Sequence, residues 1–214
     1  MLRPVSTSDS PLRRRLLDEA ARILAEQGAA ALSARRHVKE VGASTMAVYT
    51  HFGSMPGLVR EVMREGFARF IERLRLVERN ENDHVAELFA LARGYHEFTL
   101  AEPHVYAVLF GGSALAGFEL DDADREMGLY VMRVPQEAIR RAMAAGRFHE
   151  ADTGLRVRQL WCVLHGLIEL ERTGYLKSRY TVDEFLEATL RDFAVGAGDS
   201  VEAATASLET AAFT

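Results

Sequence analysis

The chain has 214 residues, of which 48% are hydrophobic and 27% are charged, so we expect a globular protein of one or two domains. No run reaches the roughly 18 apolar residues of a membrane span, and no apolar segment follows the N-terminal charges as in a signal peptide. Cys162 is the only cysteine, which excludes an intrachain disulfide and predicts a reducing, cytoplasmic location.

The charges are distributed unevenly along the chain. The net charge of −5 divides into a balance of +5 for residues 1–79 and −10 for residues 80–214. A basic N-terminal segment on an acidic remainder fits a phosphate-bearing partner at the N-terminal end. The alternative is that Arg13, Arg14 and Arg15 only solvate the start of a helix.

The first 28 residues predict an arm followed by an amphipathic helix. Residues 1–9 lack periodicity and are expected to be flexible. Ser10 and Pro11 resemble an N-cap and a first helical position, and Gly28 ends the helix. Apolar residues at helical spacing predict one buried face. Together with later residues, this helix is expected to form a core of Ile23, Leu24, Val38, Phe52 and Leu58.

Two short helices joined by a glycine turn are predicted next. The first covers residues 34–41, Gly42 reverses the chain, and Ser44 caps the second. This arrangement is typical of a helix-turn-helix, in which the second helix enters a DNA groove. A glycine turn also joins helices that bind nothing, so the flanking residues decide between the two interpretations.

The remaining chain is also predicted to be helical, without strands or repeats. Thr181 and Glu184 form the pattern of a capping box. Residues 197–214 are rich in Ala, Thr, Ser and Glu and are expected to be frayed or disordered. The other predicted segments are a connector helix at 55–78, a glycine-rich linker at 111–123, a helix at 124–145 that Pro135 interrupts or kinks, and helices at 153–173 and 181–196.

Five sequence fragments follow one another over about fifty residues. Their order and spacing within predicted helices make the combined motif specific for one family. They are AARILAEQG (20–28), LSAR (32–35), VGAS (41–44), YTHFGS (49–54) and Leu58. Residues 16–63 thereby resemble the DNA-binding domain of the tetracycline-repressor-like (TetR) family of bacterial transcription regulators. The resemblance implies an all-α protein with a helix-turn-helix domain at 10–54, a helical ligand-binding and dimerisation domain at 55–196 and a flexible tail at 197–214.

The resemblance and the chemistry of helix ends together predict the DNA contacts. Helix N-termini offer N–H groups to phosphates, and guanidinium or small side chains reach base edges in the major groove. In the family, the residues that match Tyr49 and His51 contact phosphates. Either Ala47 or Val48 must face the first helix, so one of them belongs to the core. The expected DNA-binding residues are Ser33, Arg35, Ser44, Thr45, Met46, Val48, Tyr49 and His51.

Met55 departs from the family pattern. The family usually has a lysine at the start of the fourth helix, so one phosphate-binding side chain is expected to be missing here. Arg60 or the cluster Arg13–Arg15 are the candidates to replace it.

A second resemblance lies in the C-terminal half. Trp161, His165 and Gly166 match a W-x-x-x-H-G signature of one TetR-like subgroup, and the first two share a helix face. The resemblance implies that both side chains line a ligand cavity, while the alternative is a packed tryptophan beside a hydrogen-bonded core histidine. The expected ligand-binding residues are Phe67, Phe70, Leu74, Phe89, Tyr95, Phe98, Phe110, Tyr130, Val134, Trp161 and His165.

These features predict a homodimeric transcription regulator, most simply a repressor that a small apolar or amphipathic effector releases from a palindromic operator in double-stranded DNA. The resemblance places the dimer contact on the helices at 153–174 and 181–196. No nucleophile–base pair, phosphate loop or cofactor fingerprint is present, so neither catalysis nor a cofactor is expected, and no histidine or cysteine pair matches a metal-site motif. Two alternatives remain: a helical small-molecule-binding protein without DNA binding, and a metal- or haem-responsive sensor, or an enzyme, that uses the region of Cys162 and His165.

Overall fold

The computed structural model describes residues 11–110, 121–176 and 180–212, without the side chains of residues 35–37 and 212. Within these ranges the chain is all-α and has no strand, which confirms the predicted fold class. The predicted arm at 1–9 and most of the predicted linker at 111–123 lie outside the described residues. The helices are α1 (Pro11–Gln27), α2 (Ala34–Val41), α3 (Thr45–Phe52), α4 (Met55–Arg75), α5 (His84–Ala101), α6 (Pro103–Phe110), α7 (Asp122–Tyr130), α8 (Arg133–Ala144), α9 (Thr153–Arg172), α10 (Val182–Ala197) and α11 (Val201–Ala212).

The chain divides into two compact units. The first unit comprises residues 1–69 and 102–128, and the second comprises residues 70–101 and 129–214. This division differs from the predicted boundary after residue 54. The start of α4 and helix α6 belong with the helix-turn-helix because α6 packs against α1. None of the helices in the described ranges is both long and apolar enough to cross a membrane.

The core of the first unit combines one face of α1 with the short helices that follow it. The predicted core residues Ile23, Leu24, Val38, Phe52 and Leu58 are all buried, as the helical spacing in the sequence predicts. Helix α6 approaches α4 closely, because a Cβ atom on Gly66 would lie 2.7 Å from Cγ1 of Val105. The glycine therefore permits this helix contact.

Helix α5 is the central helix of the second unit and packs against α8, α9 and α11. It is buried on most sides, including the polar side chains of Glu87 and His96. Each has a polar partner: Arg141 Nη2 lies 2.5 Å from Glu87 Oε1, and His96 Nε2 lies 2.6 Å from Glu171 Oε2. These pairs offset the cost of removing polar groups from water.

The predicted disordered tail at 197–214 is wrong for most of its length, because residues 201–212 form α11. This helix packs against α5 and buries its small and aliphatic residues, which are Ala204, Ser207, Leu208 and Ala211. Ser207 Oγ donates to Asp83 Oδ2 at 2.7 Å, and Arg147 links Asp83 with Asp199 at 3.3 and 2.6 Å. Alanine favours helix formation, but these distant partners are what hold α11 in place.

The helix predicted at 124–145 is interrupted, but not at Pro135 as expected. The break falls at residues 131–132, and Pro135 lies in the first turn of α8. Proline is tolerated there because the first N–H groups of a helix have no acceptor within the helix. The capping box at the start of α10 is confirmed, since Glu184 N donates to Thr181 Oγ1 and Thr181 N donates to Glu184 Oε2.

Candidate functional site

The predicted helix-turn-helix is formed by α2, a glycine turn and α3. Gly42 follows α2 with a φ of 67°, a conformation that glycine adopts without steric cost. Ser44 caps α3, and its Oγ accepts a hydrogen bond from the backbone N–H of Ala47 at 3.3 Å. Gly53 ends α3 at a φ of 74°. The turn and both ends of α3 therefore depend on local residues.

One face of α3 belongs to the core. Val48 has no exposed surface, and Phe52, one turn later, is 8% exposed. The predicted contact between Val48 and DNA bases is therefore wrong, because this side chain supplies the apolar anchor that an eight-residue helix needs. The alternative assignment of Val48 to the core is correct.

The opposite face of α3 is open to solvent. Met46 is 69% exposed and Tyr49 is 48% exposed. Four other predicted DNA-binding residues are also exposed, namely Ser33, Ser44, Thr45 and His51. Arg35 lies in the first turn of α2, and its side chain is outside the described part of the chain. These positions stay predictions for DNA contact.

Thr50 is an exposed α3 residue that the sequence prediction omitted. It lies four positions after Met46 and therefore shares its helix face. From this spacing, the sequence could have predicted that Thr50 is exposed beside Met46.

Three of the arginines proposed to compensate for Met55 contact the protein itself. Arg13 Nη2 lies 2.5 Å from Glu61 Oε2, and Arg15 Nη2 donates to the Val41 carbonyl at 2.6 Å. Arg60 Nε lies 3.4 Å from Asp124 Oδ2. Arg14 is exposed. Arg13, Arg15 and Arg60 are therefore held by partners within the first unit.

The second unit contains an apolar cavity. The volume of the cavity is about 40 Å³. The atom-free space that also includes its open mouth is about 430 Å³. Among the residues that the structure describes, no charged side chain lines it. The lining residues are Phe70, Leu74, Leu88, Leu91, Ala92, Tyr95, Val131, Met132, Pro135, Val157, Leu160, Trp161 and Leu164.

Four of the predicted ligand-binding residues, Phe70, Leu74, Tyr95 and Trp161, line this cavity. The nine further lining residues were missed because the prediction favoured aromatic side chains, although Leu160 and Leu164 share a helix face with Trp161. The prediction that the lining side chains contact a ligand remains a proposal.

Seven other predicted ligand-binding residues lie outside the cavity lining. Phe67 and Phe110 pack edge to face in the first unit at a centroid distance of 6.0 Å. Phe89 and Phe98 are buried, and the latter stacks on Phe70 at 4.8 Å. The remaining three are Tyr130, Val134 and His165. The guanidinium of Arg133 lies over the ring of Tyr130, and Val134 is half-buried.

His165 lies beside the cavity residues without lining the cavity. Its ring centroid is 5.8 Å from that of Trp161, and its Nδ1 is 3.5 Å from the hydroxyl of Tyr95. Partial burial lowers the pKa of His165 from its ordinary value of 6.5, because the charged form loses hydration, while Glu169 opposes the shift. The imidazole is therefore mainly neutral at pH 7.

Cys162 of α9 is exposed. In the described part of the chain, no group of three or more His, Cys, Asp or Glu side chains is arranged to hold a metal ion.

Known structures share this architecture. A protein of unknown function from Rhodococcus sp. RHA1 is 28% identical with a TM-score of 0.74, and the alignment covers 92% of this chain and 100% of that one. PfmR, a TetR family transcriptional regulator from Thermus thermophilus, is 19% identical with a TM-score of 0.68, covering 87% and 100%. FadR, a fatty acid degradation regulator from Bacillus halodurans, is 16% identical with a TM-score of 0.69, covering 89% and 98%. At these identities, the latter two show a common fold. No curated protein matches this chain.

Two family profiles match the sequence. The profile described as bacterial regulatory proteins, tetR family, matches residues 16–62, and the profile described as tetracyclin repressor-like, C-terminal domain, matches residues 88–193. Together they cover more than two thirds of the chain. They do not separate a subgroup with the W-x-x-x-H-G signature, which stays a prediction. The chain therefore belongs to the TetR family, and it is a DNA-binding transcription regulator rather than an enzyme.

Proposed function

We propose that this regulator is a homodimeric repressor that a small apolar or amphipathic molecule releases from a palindromic operator. The observation that carries the proposal is α3, which is capped at both ends, anchored by Val48 and Phe52, and exposed on its other face. An exposed helix presented in this way fits the major groove of DNA.

The proposed DNA contacts divide by chemistry. Ser33, Ser44 and Thr45 lie at helix N-termini, where hydroxyl and backbone N–H groups bind phosphate oxygens. Tyr49 and His51 supply further phosphate contacts. The base contacts are assigned to Arg35 and Met46, since a guanidinium recognises guanine and an apolar tip recognises the thymine methyl group.

The proposed dimer contact uses α9 and α10. Leu155, Val163 and Leu170 are 58%, 46% and 47% exposed, and their spacing of eight and seven residues places them along one side of α9. On α10, Val195 and Gly196 are also exposed. A second copy would bury these apolar groups, and two copies of α3 about 34 Å apart would read two half-sites.

The cavity of the second unit supports an apolar effector. The described part of its lining has no charged side chain, so a buried ionic group of a ligand would lose hydration without gaining a counter-charge. The interior space of about 40 Å³ is smaller than the roughly 150 Å³ of a cavity that holds benzene. An effector of that size that is fully enclosed must therefore displace lining side chains, and it then favours the state in which they have moved.

Selection of operator DNA from a random duplex pool tests the proposal. We expect a palindrome whose half-sites are one helical turn, or a multiple of it, apart, bound by a dimer in light-scattering measurements. Val163→Glu should give monomers that bind the palindrome weakly, because a buried carboxylate opposes association. The matched control is Leu76→Glu, at a 72% exposed position after α4, which should remain dimeric. A single asymmetric site bound by a monomer would contradict the proposal.

Trp161 allows a separate test of the effector. It is the only tryptophan and lines the cavity, so its fluorescence reports occupancy. We expect decan-1-ol or 2-naphthol to change this fluorescence and to weaken operator binding over the same concentrations. Occupancy that leaves operator affinity unchanged would contradict effector-driven release.

A further inference from the structure

Two arginines of α1, Arg13 and Arg15, point at the helix-turn-helix. The guanidinium of Arg13 lies 5.7 Å from the ring centroid of Phe52, the last residue of α3, and 2.5 Å from Glu61 of α4. The side chains of Arg13 and Glu61 are only 19% and 24% exposed. A single guanidinium thus contacts both α3 and the helix that follows it.

Arg15 acts at the turn of the motif, between α2 and α3. Its Nη2 donates to the carbonyl oxygen of Val41 at 2.6 Å, and Val41 is the last residue of α2. Carbonyl groups at a helix C-terminus accept no hydrogen bond from their own helix, and a cation there is favoured by the helix dipole. Arg15 therefore satisfies the end of α2 immediately before the Gly42 turn.

Helix α3 gains from such support because few of its own side chains are buried. It has eight residues, and only Val48 and Phe52 are buried. Two anchors on one side leave rotation about the helix axis weakly restrained, whereas specific recognition requires side chains to be held within about 0.5 Å. The contacts of Arg13 and Arg15 supply restraint at the end of α3 and at the turn before it.

We infer that Arg13 and Arg15 are positioning residues for DNA binding, which set the orientation of α3 through Phe52, Glu61 and Val41 rather than by binding phosphate. The inference rests on the proposed role of α3 in DNA contact. It differs from the expectation that the Arg13–Arg15 cluster binds phosphate in place of the lysine that Met55 replaces.

The salt dependence of binding distinguishes the two roles. A cation that neutralises a phosphate contributes about 0.9 to the slope of log K against log salt concentration. A positioning residue changes affinity without changing that slope. The test measures Arg13→Gln on the selected operator duplex across salt concentrations, with Arg14→Gln as the matched removal of one charge at an exposed neighbour. We expect Arg13→Gln to weaken binding about tenfold, as for typical coupled contacts, at an unchanged slope.

The positioning role and the phosphate-binding role predict opposite effects of Glu61→Gln on operator affinity. If Arg13 acts through Glu61, removing the carboxylate also weakens binding, and the double variant Arg13→Gln/Glu61→Gln loses less binding free energy than the sum of the two single losses. If Arg13 binds phosphate, removal of a nearby negative charge strengthens binding. Circular dichroism at the assay temperature checks that each variant is folded.

Three results would overturn the inference: unchanged affinity for Arg13→Gln, a slope reduced by about 0.9, or tighter binding by Glu61→Gln. Failure of the underlying proposal has a different signature. If Tyr49→Ala leaves operator affinity intact, then α3 is not the DNA contact, whatever Arg13→Gln does. Arg15→Gln is measured in the same series and should behave as Arg13→Gln does.

Discussion

The carbonyl oxygen of Phe52 lies 2.2 Å from the position that a Cβ atom on Gly57 would occupy. The first turn of α4 therefore packs directly on the last residue of α3, at a distance that only glycine allows. Ser54 completes this junction, since its Oγ accepts a hydrogen bond from Gly57 N at 3.0 Å. The junction fixes how α4 begins relative to α3.

Gly57→Ala should disturb this junction. The added methyl group meets a backbone oxygen that cannot move independently, so we expect a decrease of about 1–3 kcal/mol in the free energy of unfolding and weaker operator binding. Urea unfolding and a DNA titration measure the two effects. The matched control is Gly94→Ala in α5, where a Cβ atom would lie in ordinary contact 3.5 Å from Cγ2 of Val77, and it should be neutral or slightly stabilising. Equal stability of the two variants would contradict the close contact.

Ser44→Ala removes the side-chain cap of α3. We expect a decrease of about 1 kcal/mol in the free energy of unfolding, together with weaker DNA binding, because the capping group also lies at the proposed phosphate site. Thr181→Ala removes the equivalent cap of α10 in the second unit and should cost a similar amount of stability. Only Ser44→Ala should change operator affinity. Similar decreases in affinity for both variants would show that stability alone controls binding.

Met55→Lys should introduce the phosphate contact that the family resemblance leads us to expect. Met55 is half-buried at the start of α4, so a lysine there can extend its ammonium group into solvent. We expect tighter operator binding and a salt slope steeper by about 0.9. Leu100→Lys adds the same charge at a 60% exposed position of the second unit and should leave the slope unchanged. Identical slopes for the two variants would contradict the contact.

His165 should make stability depend on pH. Its pKa is lowered in the folded state by burial, so the unfolded chain takes up the proton first as the pH falls through about 6.5. The free energy of unfolding should therefore decrease between pH 7.5 and 5.5 and level off below the folded-state pKa. Urea unfolding of wild type and His165→Gln isolates this contribution, because the other histidines are common to both. The same pH dependence in both proteins would contradict it.

Local sequence patterns determined much of the helix-turn-helix and the start of α10. The turn at Gly42, the cap at Ser44 and the capping box at Thr181 and Glu184 were all predicted correctly. Such features depend on backbone geometry and on partners within three or four residues, so the sequence around them contains the necessary information. The buried face of α1 followed from helical spacing for the same reason.

Some details of the site depended on alternatives that spacing leaves open. Ala47 and Val48 are adjacent, and only packing against the rest of the first unit assigned Val48 to the core. The cavity shows the same limit. Aromatic residues suggested its lining, but aliphatic residues from several helices supply most of it, because the space between helices depends on how they pack.

Sequence alone thus determined the family, the helical class and the caps and turn that present α3. Only the tertiary structure decided that Arg13 contacts Glu61 and that Ser207 of α11 hydrogen-bonds to Asp83. It also decided that α6 belongs to the first unit. The first two contacts join residues 48 and 124 positions apart. Ion pairs and helix docking over such separations arise from the packing of whole elements, which no local pattern of side chains specifies.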